Sequence, residues 1–139
     1  MRPRSLLYLA ACALLAGCAT TTDRVLDTGE ETQLQKRSYE SRVFDTADKE
    51  KVMRATISTL QDLGFVIDRA DLTLGAVSAT KLDNYAVQIT VTVRPKGTER
   101  MLVRANASLN LKPIDDPKQY QDFFASLGKS LFLAAHEAD

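Results

Sequence analysis

The stretch YAVQITVTVRPKGTERMLVRANASL, residues 85–109, contains two runs of strict alternation on either side of a Pro-Lys-Gly-Thr break. Tyr85, Val87, Ile89, Val91 and Val93 alternate with Ala86, Gln88, Thr90, Thr92 and Arg94. After the break, Met101, Val103, Ala105, Ala107 and Leu109 alternate with Leu102, Arg104, Asn106 and Ser108. A period of two sends successive side chains to opposite faces, so both runs read as half-buried strands of one hairpin, with Pro95-Lys96-Gly97-Thr98 as its loop. Pairing Val93 with Met101, Val91 with Val103 and Ile89 with Ala105 keeps both apolar rows on the same face.

Moving upstream, AVSATKL (76–82) is a further strand, and Asp71–Gly75 reads as the turn joining it to a strand at FVIDRA (65–70). A two-residue turn at Asp83-Asn84 would set Val77 beside Thr90, out of phase with the apolar row, so a longer loop or a bulge is expected there. Val52, Met53, Ile57, Leu60 and Leu63 recur at helical spacing between Asp45, read as the N-cap, and Gly64, read as the C-terminal stop. That predicts a helix from about Thr46 to Leu63, preceded by a short strand at SRVF (41–44).

Downstream, Asp116-Pro117 with Gln119 resembles a capping box with proline at the first helical position. The helix it opens carries Tyr120, Phe123, Phe124, Leu127, Leu131, Ala134 and Ala135 on one face, with Gly128 in its middle, a residue that suits close approach of a neighbouring element. The predicted class is α+β: an antiparallel sheet of about five strands in the order β-α-β-β-β-β-α, with two helices on one face. The opposite face would offer Gln88, Thr90, Thr92, Arg94, Arg104, Asn106 and Ser108 to water or to a partner.

The chain begins with Arg2 and Arg4, followed by an apolar run from Leu6 to Ala16. Eleven helical residues rise about 16 Å, too short to span a bilayer, and the layout is that of a secretory signal. Leu15-Ala16-Gly17-Cys18 resembles the lipobox of bacterial lipoproteins, matching it at each motif position. The resemblance implies cleavage between Gly17 and Cys18, a diacylglyceryl thioether on the Cys18 sulfur and acylation of the new amine. Two or three acyl chains suffice for stable anchoring. Ala19 follows the cysteine where an aspartate would resemble an inner-membrane retention signal, so the expected location is the periplasmic face of the outer membrane.

Residues 1–17 are therefore read as the signal peptide, 18–37 as the lipidated N-terminus and a flexible tether, and 38–139 as a single domain. The tether is rich in Thr, Asp, Glu and Gln and, as a coil, reaches roughly 25 Å. Removal of the signal leaves 16 basic residues against 18 acidic ones, with the basic residues scattered singly, which gives no electrostatic case for nucleic acid. Cys12 is lost with the signal, so no disulfide is possible within the mature chain.

The run STLQDLGFVIDRADLTLGAVSATKL followed by YQDFF resembles a family of small Gram-negative lipoproteins to which no activity is attached. The element order, with its helix ending in Leu-Gly-Phe and its long C-terminal helix, is similar to the helix-grip domains of the C subunit of the outer-membrane β-barrel assembly machine. That similarity implies an accessory role in an envelope complex engaged in transport, secretion or outer-membrane assembly.

No catalytic constellation is legible. The chain's one histidine, His136, reads as a helix-end residue, and zinc-type sites lack ligands. The acidic groups Glu30-Glu31, Asp68 with Asp71, and Asp115-Asp116 with Asp122 read as tether solvation, turn residues and helix capping. Tyr120, Phe123 and Phe124 read as core, with a ligand cleft as the other use of the same residues. Neither metal nor cofactor is expected. The sequence thus points to a non-enzymatic membrane-tethered module, or alternatively to a carrier of a lipid or other apolar ligand between helix and sheet.

Overall fold

The computed structural model describes residues 32–136. Residues 1–17, read as a signal peptide, and Cys18 lie outside the described residues. Residues 32–40 are helical (α1), and the boundary between the chain's two compact units, Met1–Gln35 and Lys36–Asp139, falls within this helix. Residues 32–37, expected in the flexible tether, are thus helical.

The second unit continues through β1 (Ser41–Phe44), α2 (Lys49–Asp62), β2 (Val66–Asp71), β3 (Ala76–Asp83), β4 (Tyr85–Lys96), β5 (Arg100–Leu109), β6 (Lys112–Pro113) and α3 (Pro117–His136). The class is α+β with an antiparallel sheet, ordered β1-β5-β4-β3-β2, and β6 pairs with β5 on the edge that β1 also uses. Two elements are additional to the expected order: α1, whose sequence carries few aliphatic residues, and β6, which is only two residues long.

The central hairpin differs from the expected register by two residues. Val93 faces Val103, Val91 faces Ala105 and Ile89 faces Ala107, while Pro95 faces Met101. The strands run on to Lys96 and Arg100, leaving a three-residue turn at Gly97–Glu99. Proline is tolerated inside this strand because β3 pairs with β4 only as far as Thr92, so the side on which Pro95 lacks an N–H has no neighbour to bond. The same face stays apolar because a shift of two preserves the alternation.

At the next hairpin neither a longer loop nor a bulge is present. Asn84 alone forms the tip with φ 60°, a left-handed conformation that asparagine tolerates, and this tighter turn restores Val77 to the position opposite Val91. The irregularity lies instead between β2 and β3, where the register slips between Ile67 and Arg69.

The N-cap of α2 is Asp48, not Asp45: its Oδ1 accepts the Lys51 N–H at 2.9 Å. At the other end Gly64, at φ 83°, donates to Gln61 O and Phe65 donates to Leu60 O, a Schellman motif that turns the chain into β2. Asp116 caps α3 through its Oδ1 and the Lys118 N–H at 3.0 Å. Gly128 requires no close approach, since a methyl group added there would stand 3.8 Å from the Phe44 ring.

Both long helices pack on one face. Val52, Met53, Ala55 and Leu60 of α2 meet Tyr120, Phe123, Phe124 and Leu127 of α3 over a row formed by Val77, Ala79, Ile89, Val91, Val93, Met101, Val103 and Ala105. Burial of these side chains contributes roughly 1.5–3 kcal/mol for each large one, the main force holding the layers together.

Candidate functional site

The residues expected on the outer face do come together there. Gln88 faces Ser108, Thr90 faces Asn106 and Thr92 faces Arg104 across β4 and β5, and Ser78 and Thr80 of β3 extend the polar array. Arg104 is already engaged: its guanidinium donates to Glu40 at 3.1 Å, and that carboxylate is buried. Arg94 stays exposed opposite Leu102. The face also carries exposed Leu82 and Val66, so it is less uniformly polar than the alternation of β4 and β5 alone implies.

Glu30-Glu31 lie outside the described residues; the other acidic groups are occupied by structural work. Asp68 accepts from the Thr80 hydroxyl at 2.7 Å, and Asp71 accepts the Leu74 N–H at 2.9 Å. The Leu74 amide holds the Asp71 carboxyl below the usual carboxylate range; burial opposes it next in size, and the Arg69 guanidinium adds to the lowering. Asp115 pairs with Lys36 at 2.6 Å and Asp122 with Lys118 at 2.7 Å. Among the described residues no group of three or more His, Cys, Asp or Glu could hold a metal ion. No helix among them is long and apolar enough to cross a membrane.

The second feature is a cleft between helix and sheet, the other use expected of Tyr120, Phe123 and Phe124; Phe124 is not among the residues that line it. This half-open cleft of about 420 Å³ lies where the inner face of the sheet extends past the helices. Its floor is Lys81 of β3, Tyr85, Val87 and Ile89 of β4, and Ala107 and Leu109 of β5. Leu63 and Phe65 close it on the α2 side, and Gln119, Tyr120, Asp122 and Phe123 on the α3 side. Tyr120 and Phe123 therefore serve as both core and cleft wall.

Two placements shape this cleft. Lys81 continues the inner row of Val77 and Ala79, at a position where an aliphatic side chain would complete the core, and its ammonium donates to Leu63 O at 3.0 Å at the negative end of α2. Tyr120 accepts the Ala107 N–H at 3.1 Å and donates to Ile114 O at 2.8 Å; burial pushes its phenol pKa up, partly opposed by the Ala107 amide.

At the same end, Tyr85, Leu109 and Leu111 are exposed at 60%, 39% and 85%. The Asn110-Leu111 turn between β5 and β6 holds φ 47° and 71°, which places a leucine in a conformation natural to glycine. The sequence signals for this site were the lysine third in an otherwise apolar row and large apolar residues where a turn calls for polar ones.

In comparisons with known proteins, no family model matches the chain, and no curated protein matches it. The anchor reading therefore stands on Leu15-Ala16-Gly17-Cys18 themselves.

Proposed function

We propose that the chain is a lipoprotein anchored through Cys18 to the periplasmic face of the outer membrane, whose α+β domain is a non-enzymatic accessory or scaffolding subunit of an envelope complex. The observation that carries this reading is the sequence Leu15-Ala16-Gly17-Cys18 behind a short apolar run. Support for the accessory role comes from the array of Gln88, Thr90, Thr92, Asn106 and Ser108, a surface that offers hydrogen bonds without a reactive group. The helix-grip likeness adds to it only as an analogy of fold.

Two measurements test it. Cys18→Ala abolishes acylation and moves the protein out of the membrane fraction; a variant that remained bound and still incorporated labelled palmitate would refute the anchor. A photoreactive amino acid at Thr90 captures an envelope protein in intact cells, whereas the same group at exposed Asp62 on α2 does not. Equal capture from both positions would remove the outer face as the docking surface.

A second reading, a carrier of a lipid or other apolar ligand, is favoured by the cleft, whose volume falls within the range of about 300–1,000 Å³ used by small-ligand sites.

A further inference from the structure

The cleft and the lysine on its floor have separate causes in the sequence, yet they converge on one kind of ligand. Val87, Ile89, Leu109 and Phe123 give it apolar walls. Lys81 sets a cation in a trough otherwise lined mainly by hydrocarbon, while the facing Asp122 is neutralised by Lys118 at 2.7 Å. An ammonium has three donors, and the bond to Leu63 O uses one of them.

Leu111 stands two residues beyond Leu109, in the turn that follows β5. A non-glycine residue in the left-handed region costs about 1–2 kcal/mol, and packing does not repay it here, because the side chain is 85% exposed. Residues that keep such strain tend to sit where surface contact is used. Of the exposed apolar residues at this end, Tyr85 and Leu109 line the cleft.

Building on the carrier reading, we infer that this cleft binds one acyl chain beneath an anionic head group, the chain lying along Val87, Leu109 and Phe123 and the head paired with Lys81. The same chemistry is offered by a free fatty acid and by an anionic phospholipid.

The test uses the full-length protein reconstituted in phosphatidylcholine vesicles doped with a diazirine-bearing palmitic acid, a phosphatidylglycerol carrying the same acyl group, or a diazirine-bearing hexadecanol. Adducts are mapped by mass spectrometry. Palmitic acid or phosphatidylglycerol should label peptides containing Val87, Leu109 and Phe123 about tenfold more than hexadecanol, the ratio set by one charge-assisted contact. Whichever anionic probe labels more strongly identifies the source.

Lys81→Met should reduce that labelling to the hexadecanol level and Lys81→Arg should retain it. Leu109→Ala should lower it about threefold through lost apolar contact with the chain, while Leu111→Gly, outside the cleft lining, should raise the melting temperature. Equal labelling by all three probes, or no effect of Lys81→Met, would overturn the inference and leave the carrier reading intact. Adducts confined to residues outside the cleft in every arm would overturn both.

Discussion

Replacing Tyr120 with phenylalanine isolates a single oxygen atom at the seam where the sheet edge meets α3. β1 covers the outer edge of β5 only from Met101 to Arg104, and β6 covers it only at Ser108 and Leu109. Ala107 lies in the gap. Its carbonyl takes the Ile114 N–H at 2.9 Å, and its N–H is taken by the Tyr120 hydroxyl at 3.1 Å, which itself donates to Ile114 O at 2.8 Å. Phenylalanine keeps the ring, 5.3 Å from that of Tyr39, and loses only these two bonds. Each contributes about 0.5–1.5 kcal/mol net, and a donor left without a partner in this part-buried seam adds to the cost, so a loss of about 2–3 kcal/mol is expected. In a domain of this size that lowers the melting temperature by roughly 10–20 °C. Urea and thermal unfolding of the full chain, followed by circular dichroism, should show the lower midpoint with an unchanged denaturant slope. Faster hydrogen exchange at the Ala107 amide should accompany it. A loss below about 0.5 kcal/mol, with Ala107 as protected as before, would refute the reasoning by showing that water substitutes for the phenol.

Gly75→Ala should cost about 3 kcal/mol or more: the new Cβ would collide with Val93 O at a residue with φ 66°, and the Val93 N–H bond to Gly75 O would be displaced, so reduced soluble yield and a lower unfolding midpoint are expected. Gly128→Ala should stabilise by up to about 1 kcal/mol, because the methyl meets Phe44 at ordinary contact distance and the helix gains propensity; a destabilised variant in the same melt would contradict that geometry. With pH, Tyr120 and Tyr39, raised chiefly by burial, and Lys36 and Lys118, raised chiefly by hydrogen bonds to Asp115 and Asp122, bind protons more tightly when folded. Their contribution is complete below about pH 10 and is lost as pH rises through the folded values; Tyr120→Phe should flatten the alkaline limb of stability against pH, and an unchanged limb would exclude its phenol as a contributor.

The sheet was readable because alternation is a local signal: each of Ile89, Val91 and Val93 reports its face independently of everything else. Register is not local in that sense. The expected pairing of Val93 with Met101 assumed that Pro95 ends the strand, and only the stopping point of β3 at Ala76, opposite Thr92, shows that the proline faces no partner there. The cap of α2 moved from Asp45 to Asp48 for a related reason, since both are good N-caps in isolation and the choice is made by where β1 releases the chain. Of the two candidate surfaces, the outer face followed from the strand period, whereas the cleft required knowing where α2 and α3 stop.

That stopping point follows from element lengths. A 12-residue strand such as β4 extends about 40 Å, while the 14 residues of α2 rise about 21 Å and the 20 of α3 about 30 Å. Helices of these lengths cannot cover the whole inner face, so part of it must meet solvent. Burial falls accordingly along β4: Val93, Val91 and Ile89 are buried, Val87 is half-buried and Tyr85 is exposed. The usual answer at such an end is to switch the inner row to polar residues. Here Lys81 and Asp83 of β3 do so, while Tyr85 and Leu109 remain apolar, and Leu111 in the turn beyond them is apolar in a backbone conformation that glycine would occupy without strain. Uncovered apolar surface costs roughly 25 cal/mol for each Å² left in water, so retaining it at the one place where coverage must fail is a cost that folding alone does not require. The same reasoning separates the two faces: the outer one is left open by the fold's economy, and the cleft is left open by arithmetic but kept apolar by sequence.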